Sequence, residues 1–174
     1  MWILLLYIGL IALINWIYEV TPLVTLPGGD LWSPVDIIVG FVFVIRDFAQ
    51  RRVGHYVLLG MLAGIALSLL MVSKELAFAS AAAFAVGELA DWAIFTATGK
   101  PFSQRILLSS LLGAPLDSLV FLTLVGLASP LAMQVQISSK LAGALLVFYL
   151  VWRREKRASQ NPGQYKLTKL HDRR

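Results

Sequence analysis

This 174-residue chain is too apolar for an ordinary soluble domain: 58% of its residues are hydrophobic, 14% are charged and its mean hydropathy is +0.75. Soluble domains average roughly 45–50% apolar and about 25% charged residues. The chain has no Cys and two His, which excludes thiol catalysis, disulfides, Cys-ligated metals and a His-rich metal site. The composition therefore predicts an integral membrane protein with no metal and no cofactor.

Six apolar stretches follow one another along the chain. A membrane-spanning helix needs about 20 apolar residues. The stretches lie at about residues 2–18, 35–48, 56–72, 76–97, 106–128 and 137–152, and the second is short. Gly, Pro and polar residues, typical of turns, fill the connectors, as in TPLVTLPGGDLWSP. We predict an all-α polytopic protein, with a single bundle of six transmembrane helices in residues 1–152 and a basic cytoplasmic tail in residues 153–174.

The distribution of Lys and Arg predicts the orientation. The first stretch has neither a basic region before it nor a small-residue cleavage site after it, so we expect a retained helix rather than a signal peptide. In a six-helix arrangement, thirteen of the fifteen Lys and Arg residues fall on the side of the two termini, whereas Lys74 falls opposite and Lys140 within the sixth stretch. This bias predicts a multi-pass protein of the bacterial inner membrane with both termini cytoplasmic. The basic tail suits anionic lipid headgroups, and no nucleic-acid partner is expected.

Two acidic residues lie well inside the fourth stretch. Ionisable residues within a membrane are costly and by default indicate a functional site. Glu88 and Asp91 are three residues apart, so both carboxylates lie on one face of a helix, with Trp92 near that face.

A third acid, Asp117, lies in the fifth stretch close to Gly113 and Pro115. Because Pro115 has no backbone N–H, it should leave a carbonyl near Leu111 unpaired, and such groups are tolerated at membrane depth where they line a cavity or are buried in protein. We therefore expect Glu88, Asp91 and Asp117 to face a common cavity.

The fourth and fifth stretches also share a short pattern, G-x-x-x-D-x-x-[IV]-F, at residues 87–95 and 113–121. The two acids of this pattern should lie roughly 10 and 17 Å from the cytoplasmic ends of their helices, which leaves both in the inner half of the membrane. A structural alternative stays open, in which the three acids pair with Arg46, Arg105 or Lys140 and only hold the helices together.

Three further ionisable residues have a simple interpretation beside the functional one. Asp36 suits the first turn of a helix, and Asp47 beside Arg46 suits an ion pair at the cytoplasmic edge. Asp36 and Asp47 are three turns apart and share one face, about 16 Å from each other. Lys140 can extend its ammonium group outward, and it bears on a site only if it faces the acids.

Four segments together resemble the vitamin uptake transporter family, also called queuosine precursor transporters. They are residues 41–54 (FVFVIRDFAQRRVG), 88–95 (ELADWAIF), 109–121 (SSLLGAPLDSLVF) and 140–149 (KLAGALLVFY), and they span most of the chain. The chain departs from the family at two places: it has Glu88 where the family has Gln, and it has Arg51-Arg52 where the family's segment is acidic. Asp47, Asp91, Asp117 and Lys140 match family positions.

The resemblance implies import of a queuosine precursor, a 7-deazaguanine such as 7-cyano-7-deazaguanine. One carboxylate can accept hydrogen bonds from both N1–H and the exocyclic amine of a guanine-type edge. Aromatic side chains can form the walls around such a planar, purine-like ring. The predicted substrate-binding residues are Glu88, Asp91, Asp117, Trp92, Phe95, Phe121, Ser110, Asp36, Asp47 and Lys140, and we expect no catalytic residue.

Two other functions stay open at this point. One is a membrane-embedded structural or assembly protein without a small-molecule site. The other is an intramembrane hydrolase of the aspartyl type, built on an Asp91–Asp117 pair. We expect that the protein is not an enzyme. Because the sequence has no ATP-binding motif, a transporter of this kind would be a secondary carrier, a facilitator or a substrate-binding subunit with a separate ATPase partner. A homodimer also stays open.

Overall fold

The structure is a computed structural model that describes residues 2–71 and 74–160, without the side chains of residues 68 and 71–77. These residues form six α-helices, one short 3-10 helix at Gly54–Tyr56 and one two-stranded hairpin, so the all-α prediction is confirmed. The helices are α1 (Trp2–Val20), α2 (Asp36–Val53), α3 (Val57–Met71), α4 (Lys74–Ala97), α5 (Phe102–Leu124) and α6 (Pro130–Gln160). The strands are β1 (Val24–Thr25) and β2 (Leu31–Trp32).

Within the described residues, four helices are long and apolar enough to cross a membrane by length and composition. They are α1, α5, α6 and the part of α4 from Phe78 to Ala97. The other two helices fall short for different reasons. Helix α3 has 15 residues, and the 18 residues of α2 include five charged ones, Asp36, Arg46, Asp47, Arg51 and Arg52.

The sixth helix extends beyond its predicted bounds at both ends. At its start, the Ser129 hydroxyl accepts a hydrogen bond from the Ala132 N–H at 3.0 Å, and Pro130 occupies the first helical position. At its far end, residues 153–160 of the predicted tail continue the helix. Glu155 accepts hydrogen bonds from the Ser103 hydroxyl at 2.5 Å and the Ser103 N–H at 3.4 Å, which joins this extension to the start of α5. Residues 161–174 of the predicted tail lie outside the described residues.

The connector between α1 and α2 contains a small antiparallel hairpin that the sequence interpretation treated as a plain turn. Val24 pairs with Trp32 and Thr25 with Leu31. Gly28 and Gly29 have φ angles of 104° and 92°, a region that glycine adopts at little steric cost. The Leu26 N–H donates a hydrogen bond to the Asp30 carbonyl at 2.7 Å, which closes the turn. Strand β2 packs against α6.

The distribution of apolar and charged side chains is the reverse of that in a soluble protein. Large apolar side chains are exposed on all six helices, whereas Asp, Glu, Arg and Lys side chains are buried among them. Helix α2 contacts each of the other five helices and carries three of these buried charges. Since an apolar exterior suits lipid, this arrangement agrees with a membrane-embedded protein.

Glycines allow two close helix crossings. A Cβ atom on Gly87 would lie 2.6 Å from the Asp117 Cβ, and one on Gly113 would lie 3.1 Å from the Asp91 Cβ. The two copies of the shared pattern therefore face each other where α4 and α5 cross, and the glycine of each helix lies opposite the aspartate of the other. At the second crossing, a Cβ on Gly40 of α2 would overlap the Lys140 carbonyl of α6.

Candidate functional site

The first group of buried charges centres on Arg46 and is called the Arg46 cluster here (Arg46, Asp47, Glu88 and Asp91). Arg46 Nη1 lies 2.8 Å from Asp47 Oδ1, and its Nε lies 3.0 Å from Glu88 Oε2. Its Nη2 pairs with Asp91. All four side chains have no exposed area, so these charges are fully withdrawn from solvent.

Hydrogen bonds tie the Arg46 cluster to four helices. The Tyr7 hydroxyl of α1 donates to Glu88 Oε2 at 2.8 Å, and the Ser109 hydroxyl of α5 donates to Asp47 Oδ2 at 3.0 Å. Arg46 also donates to Gln50 Oε1 at 2.6 Å. Because these bonds join α1, α2, α4 and α5, the cluster links most of the helices at one level.

The Arg46 cluster has more carboxyl groups than cations. Three carboxyl groups share one guanidinium, and Arg105, half-buried nearby, interacts electrostatically with Asp47. Among the described residues, no hydrogen-bond donor reaches Glu88 Oε1. Removing one partner from a buried ion pair leaves an uncompensated charge, so the stability of this region depends heavily on Arg46.

The second group centres on Lys140 and is called the Lys140 cluster (Lys140, Asp36 and Asp117). Lys140 Nζ pairs with Asp117 and lies 3.8 Å from Asp36 Oδ1. Asp36 also accepts hydrogen bonds from the Tyr18 hydroxyl and, at 3.2 Å, from Gln136 Nε2. Lys140 is 3% exposed, so it does not extend to the interface but faces the acids.

Members of the Lys140 cluster line two cavities. The inner cavity has a volume of about 60 Å³, room for a few water molecules, and Asp117 and Lys140 lie on its wall. The hairpin cavity has a volume of about 280 Å³, and Asp36 and Gln136 lie on its wall. Tyr18 and Phe121 line both cavities. The Lys140 cluster thus contributes residues to the walls of both cavities.

Apolar and aromatic groups complete both walls. Residues from α1, α2 and α4 line the inner cavity, among them Ile11, Val39 and Phe84. The hairpin cavity is lined by the hairpin itself, through Leu31 and Trp32, and by the end of α5. The Tyr18 and Phe121 rings stand 6.3 Å apart, inclined at 51°. Ligand sites commonly combine such apolar walls with a few convergent polar groups.

The structure divides the three acids that were expected to share one cavity. Asp117 lines the inner cavity, whereas Glu88 and Asp91 belong to the Arg46 cluster and line neither of the two cavities. Asp91 and Asp117 form no carboxyl pair, since each is paired with its own cation. For these acids the structure has the ion pairs of the structural alternative, together with a cavity at Asp117.

The remaining predicted site residues are also distributed between regions. Asp36, Phe121 and Lys140 line cavities, and Asp47 is paired with Arg46. The other three line neither cavity. Trp92 packs edge-on against His55 with ring centroids 5.7 Å apart, Phe95 packs against Phe102 and Arg105, and Ser110 is buried with no hydrogen-bond partner for its hydroxyl among the described residues.

Tyr18, Trp32 and Gln136 are among the cavity-wall residues that sequence reasoning missed. Gln136 precedes Lys140 by four residues, so the helical period alone places both on one face of α6. Tyr18 lies at the end of the first apolar stretch, and its hydroxyl donates a hydrogen bond to Asp36. Nothing in the sequence places Trp32 over the cavity, because that depends on how the hairpin folds back.

No protein-family model, curated protein or solved structure matches this chain. Among residues 2–71 and 74–160 no group of three or more His, Cys, Asp or Glu side chains is placed to hold a metal ion.

Proposed function

We propose that this chain is a membrane transporter that imports a small polar heterocycle, with a 7-deazaguanine queuosine precursor as the candidate substrate. One observation carries the proposal: members of the buried Lys140 cluster line two cavities inside a protein whose exterior is apolar. Buried charges beside a cavity in a membrane protein are typical of a substrate pathway.

The chemistry of the walls supports this class of substrate. Three acidic residues line the cavities, Glu19, Asp36 and Asp117, against one ammonium group, that of Lys140, and Tyr18 and Phe121 supply flat aromatic walls. An anionic substrate would be repelled by the excess of carboxylates, whereas a neutral or cationic ring with N–H donors would be bound by them. The resemblance of four segments to queuosine precursor transporters supports the same class.

We further propose that all six helices cross the membrane as a single bundle. Helix α2 is too charged to face lipid, but its Asp36, Arg46 and Asp47 are buried among the other helices, and its exposed Arg51 and Arg52 lie at its end. A charged helix at the centre of a bundle needs no apolar surface of its own.

The basic residues support an orientation within a bacterial inner membrane. The end of α2 meets the start of α5, where the Arg51 guanidinium lies 4.4 Å from the Phe102 ring, and the extension of α6 meets the same place through Ser103 and Glu155. This basic end would face the cytoplasm, and the hairpin cavity would open toward the outside. Reporter fusions after residue 30 and after residue 174 should therefore report opposite sides of the membrane, and the same side for both would contradict this topology.

The sequence contains no ATP-binding motif, so we do not propose that this chain drives import by hydrolysing ATP itself. A secondary carrier, a facilitator and a subunit that uses a separate ATPase each remain compatible with the proposal.

Uptake of labelled 7-deazaguanines tests the proposal. Cells that cannot make the precursor should accumulate the label when they express this protein and should not when they express Lys140→Met. Gln134→Met, an exposed position on the same helix, is the matched control and should retain uptake. Equal accumulation with and without the unmodified protein would contradict the transport proposal.

A structural or assembly role is the second candidate, because Glu88 and Asp91 are paired with Arg46 and line neither cavity. Purified protein whose thermal stability does not change with any purine analogue, and whose loss impairs a membrane complex, would favour it.

A further inference from the structure

The wall of the hairpin cavity has acidic residues and no basic one among the described residues. Glu19, near the end of α1, and Asp36, at the start of α2, both line it. The inner cavity differs, because Asp117 shares its wall with Lys140. The hairpin cavity is therefore the more negative of the two.

Lys140 offsets only part of this negative charge. Its ammonium group pairs with Asp117 and lies farther, at 3.8 Å, from Asp36 Oδ1. One ammonium group thus faces two carboxyl groups, and Glu19 adds a third at the cavity. In a protein interior such charges act over several ångströms without direct contact, and a buried charge is costly unless an opposite charge accompanies it. The excess of carboxyl groups therefore favours a ligand that brings a positive charge.

Aromatic side chains on the same wall favour an organic cation. Tyr18, Trp32 and Phe121 line the hairpin cavity, and the rings of Tyr18 and Phe121 stand 6.3 Å apart. The face of an aromatic ring attracts a cation that lies within about 6 Å of its centre, and Trp attracts it most strongly. A metal ion such as Ca²⁺ instead requires about six or more oxygen ligands. Carboxyl groups beside aromatic walls are therefore better suited to an ammonium ion.

The cavity size agrees with a small ring that carries such a group. Ligand pockets usually measure about 300–1,000 Å³, and the hairpin cavity, at about 280 Å³, is close to the lower end of that range. The inner cavity, at about 60 Å³, is too small for a bicyclic ring. A cationic ring is therefore expected in the hairpin cavity.

We propose that the hairpin cavity selects a planar ring that bears an alkylammonium group, and that Glu19 and Asp36 select the positive charge. This inference rests on the proposed transport function and deepens it, because import of a polar heterocycle would allow a neutral or a cationic ring and the cavity favours the cationic one. Alkyl amines titrate near pH 10, as Lys does at about 10.4, so the group is charged at neutral pH. Among 7-deazaguanines, the 7-aminomethyl compound is then preferred to neutral ones.

Two compounds of nearly the same shape test the selection of charge. 7-Aminomethyl-7-deazaguanine carries an ammonium group at neutral pH, and 7-hydroxymethyl-7-deazaguanine has a neutral hydroxyl group in its place. The uptake of each labelled compound is measured over a range of concentrations in cells that express the unmodified protein. The KM of the aminomethyl compound should be roughly tenfold lower, because only this compound forms charge-assisted contacts with the carboxyl groups. This comparison needs no variant and so does not depend on variant folding.

The variants then assign the charge to residues. Glu19→Gln keeps the size of an exposed side chain and should raise the KM of the aminomethyl compound about threefold, as expected for an exposed ion pair. Asp36→Asn should raise it roughly tenfold, because Asp36 is buried. Neither change should alter the KM of the hydroxymethyl compound. Asp30→Asn, in the same hairpin but not on the wall of the cavity, is the matched control and should change neither KM.

The outcomes separate this inference from the transport proposal. If the hydroxymethyl compound is taken up with an equal or lower KM, or if Glu19→Gln and Asp36→Asn change both compounds equally, the inference is overturned and transport stays intact. No uptake of any 7-deazaguanine by the unmodified protein would overturn both. Losses confined to the ammonium compound in these two variants would support the assignment.

Discussion

The Arg46 cluster and the Lys140 cluster use the same chemistry in two different settings. Each places one buried cation among carboxyl groups of different helices, and in each a tyrosine of α1 donates to a carboxylate, Tyr7 in the first and Tyr18 in the second. The Arg46 cluster lines neither cavity, whereas members of the Lys140 cluster line both. Burial and charge alone therefore do not distinguish the two clusters. Contact with a cavity does, and it is the reason why we propose the Lys140 cluster, and not the Arg46 cluster, as part of a substrate site.

The cation type fits this difference. A guanidinium presents several donors in a fixed plane and can bind three carboxyl groups at once, as Arg46 does. An ammonium group on a flexible stem is less constrained, and Lys140 Nζ lies within 4 Å of carboxylates of both Asp36 and Asp117. We interpret the Arg46 cluster as a fixed anchor and the Lys140 cluster as the movable one.

The largest expected effect comes from Arg46→Met. This change leaves three carboxyl groups buried without their cation and should lower the free energy of unfolding by about 3–5 kcal/mol. Thermal unfolding of protein in detergent measures it. Arg52→Gln, at an exposed position on the same helix, is the control and should have little effect.

Neutralising the acids together with Arg46 sharpens this test. Adding Asp47→Asn, Glu88→Gln and Asp91→Asn to Arg46→Met removes the unpaired charges and should recover part of the lost stability. No recovery would mean that Arg46 acts through packing rather than through charge, contrary to the anchor interpretation.

Gly40→Ala should have the next largest effect, because the added Cβ would overlap the backbone carbonyl of Lys140. The two helices must separate, which should cost about 1–3 kcal/mol and should reduce uptake by displacing Lys140. Gly9→Ala is the control, since its added Cβ meets nothing within 4 Å. If Gly40→Ala retained full stability and uptake, the close crossing would have no role in placing Lys140.

The two tyrosines offer the finest comparison. Tyr7→Phe removes a donor from a sealed carboxylate and should lower stability by about 1–3 kcal/mol without changing the KM of uptake. Tyr18→Phe removes a donor from Asp36 on the cavity wall, where water can replace it, so it should raise KM with a smaller loss of stability. Identical effects of the two changes on both quantities would remove the distinction between the clusters.

The helices were predictable because long apolar runs and turn residues are local signals. The Ser129-Pro130 start of α6 was also readable, although it was missed. The cost of burying charge drew attention to the buried acids, but their division between two clusters depends on the crossings at Gly40 and Gly87, which bring distant segments together. For the same reason Trp32, 104 residues before Gln136 in the sequence, could not be assigned to its cavity.

Cysteine accessibility tests the central distinction most directly, because the chain has no Cys of its own and each introduced thiol is the only one. Ser33→Cys lines the hairpin cavity, and Ser109→Cys is its matched partner beside the Arg46 cluster. A small membrane-impermeant thiol reagent added to intact cells should label Ser33→Cys and leave Ser109→Cys unlabelled, and 7-deazaguanine should slow the labelling. Equal labelling of both positions, or labelling of Ser109→Cys alone, would contradict the account.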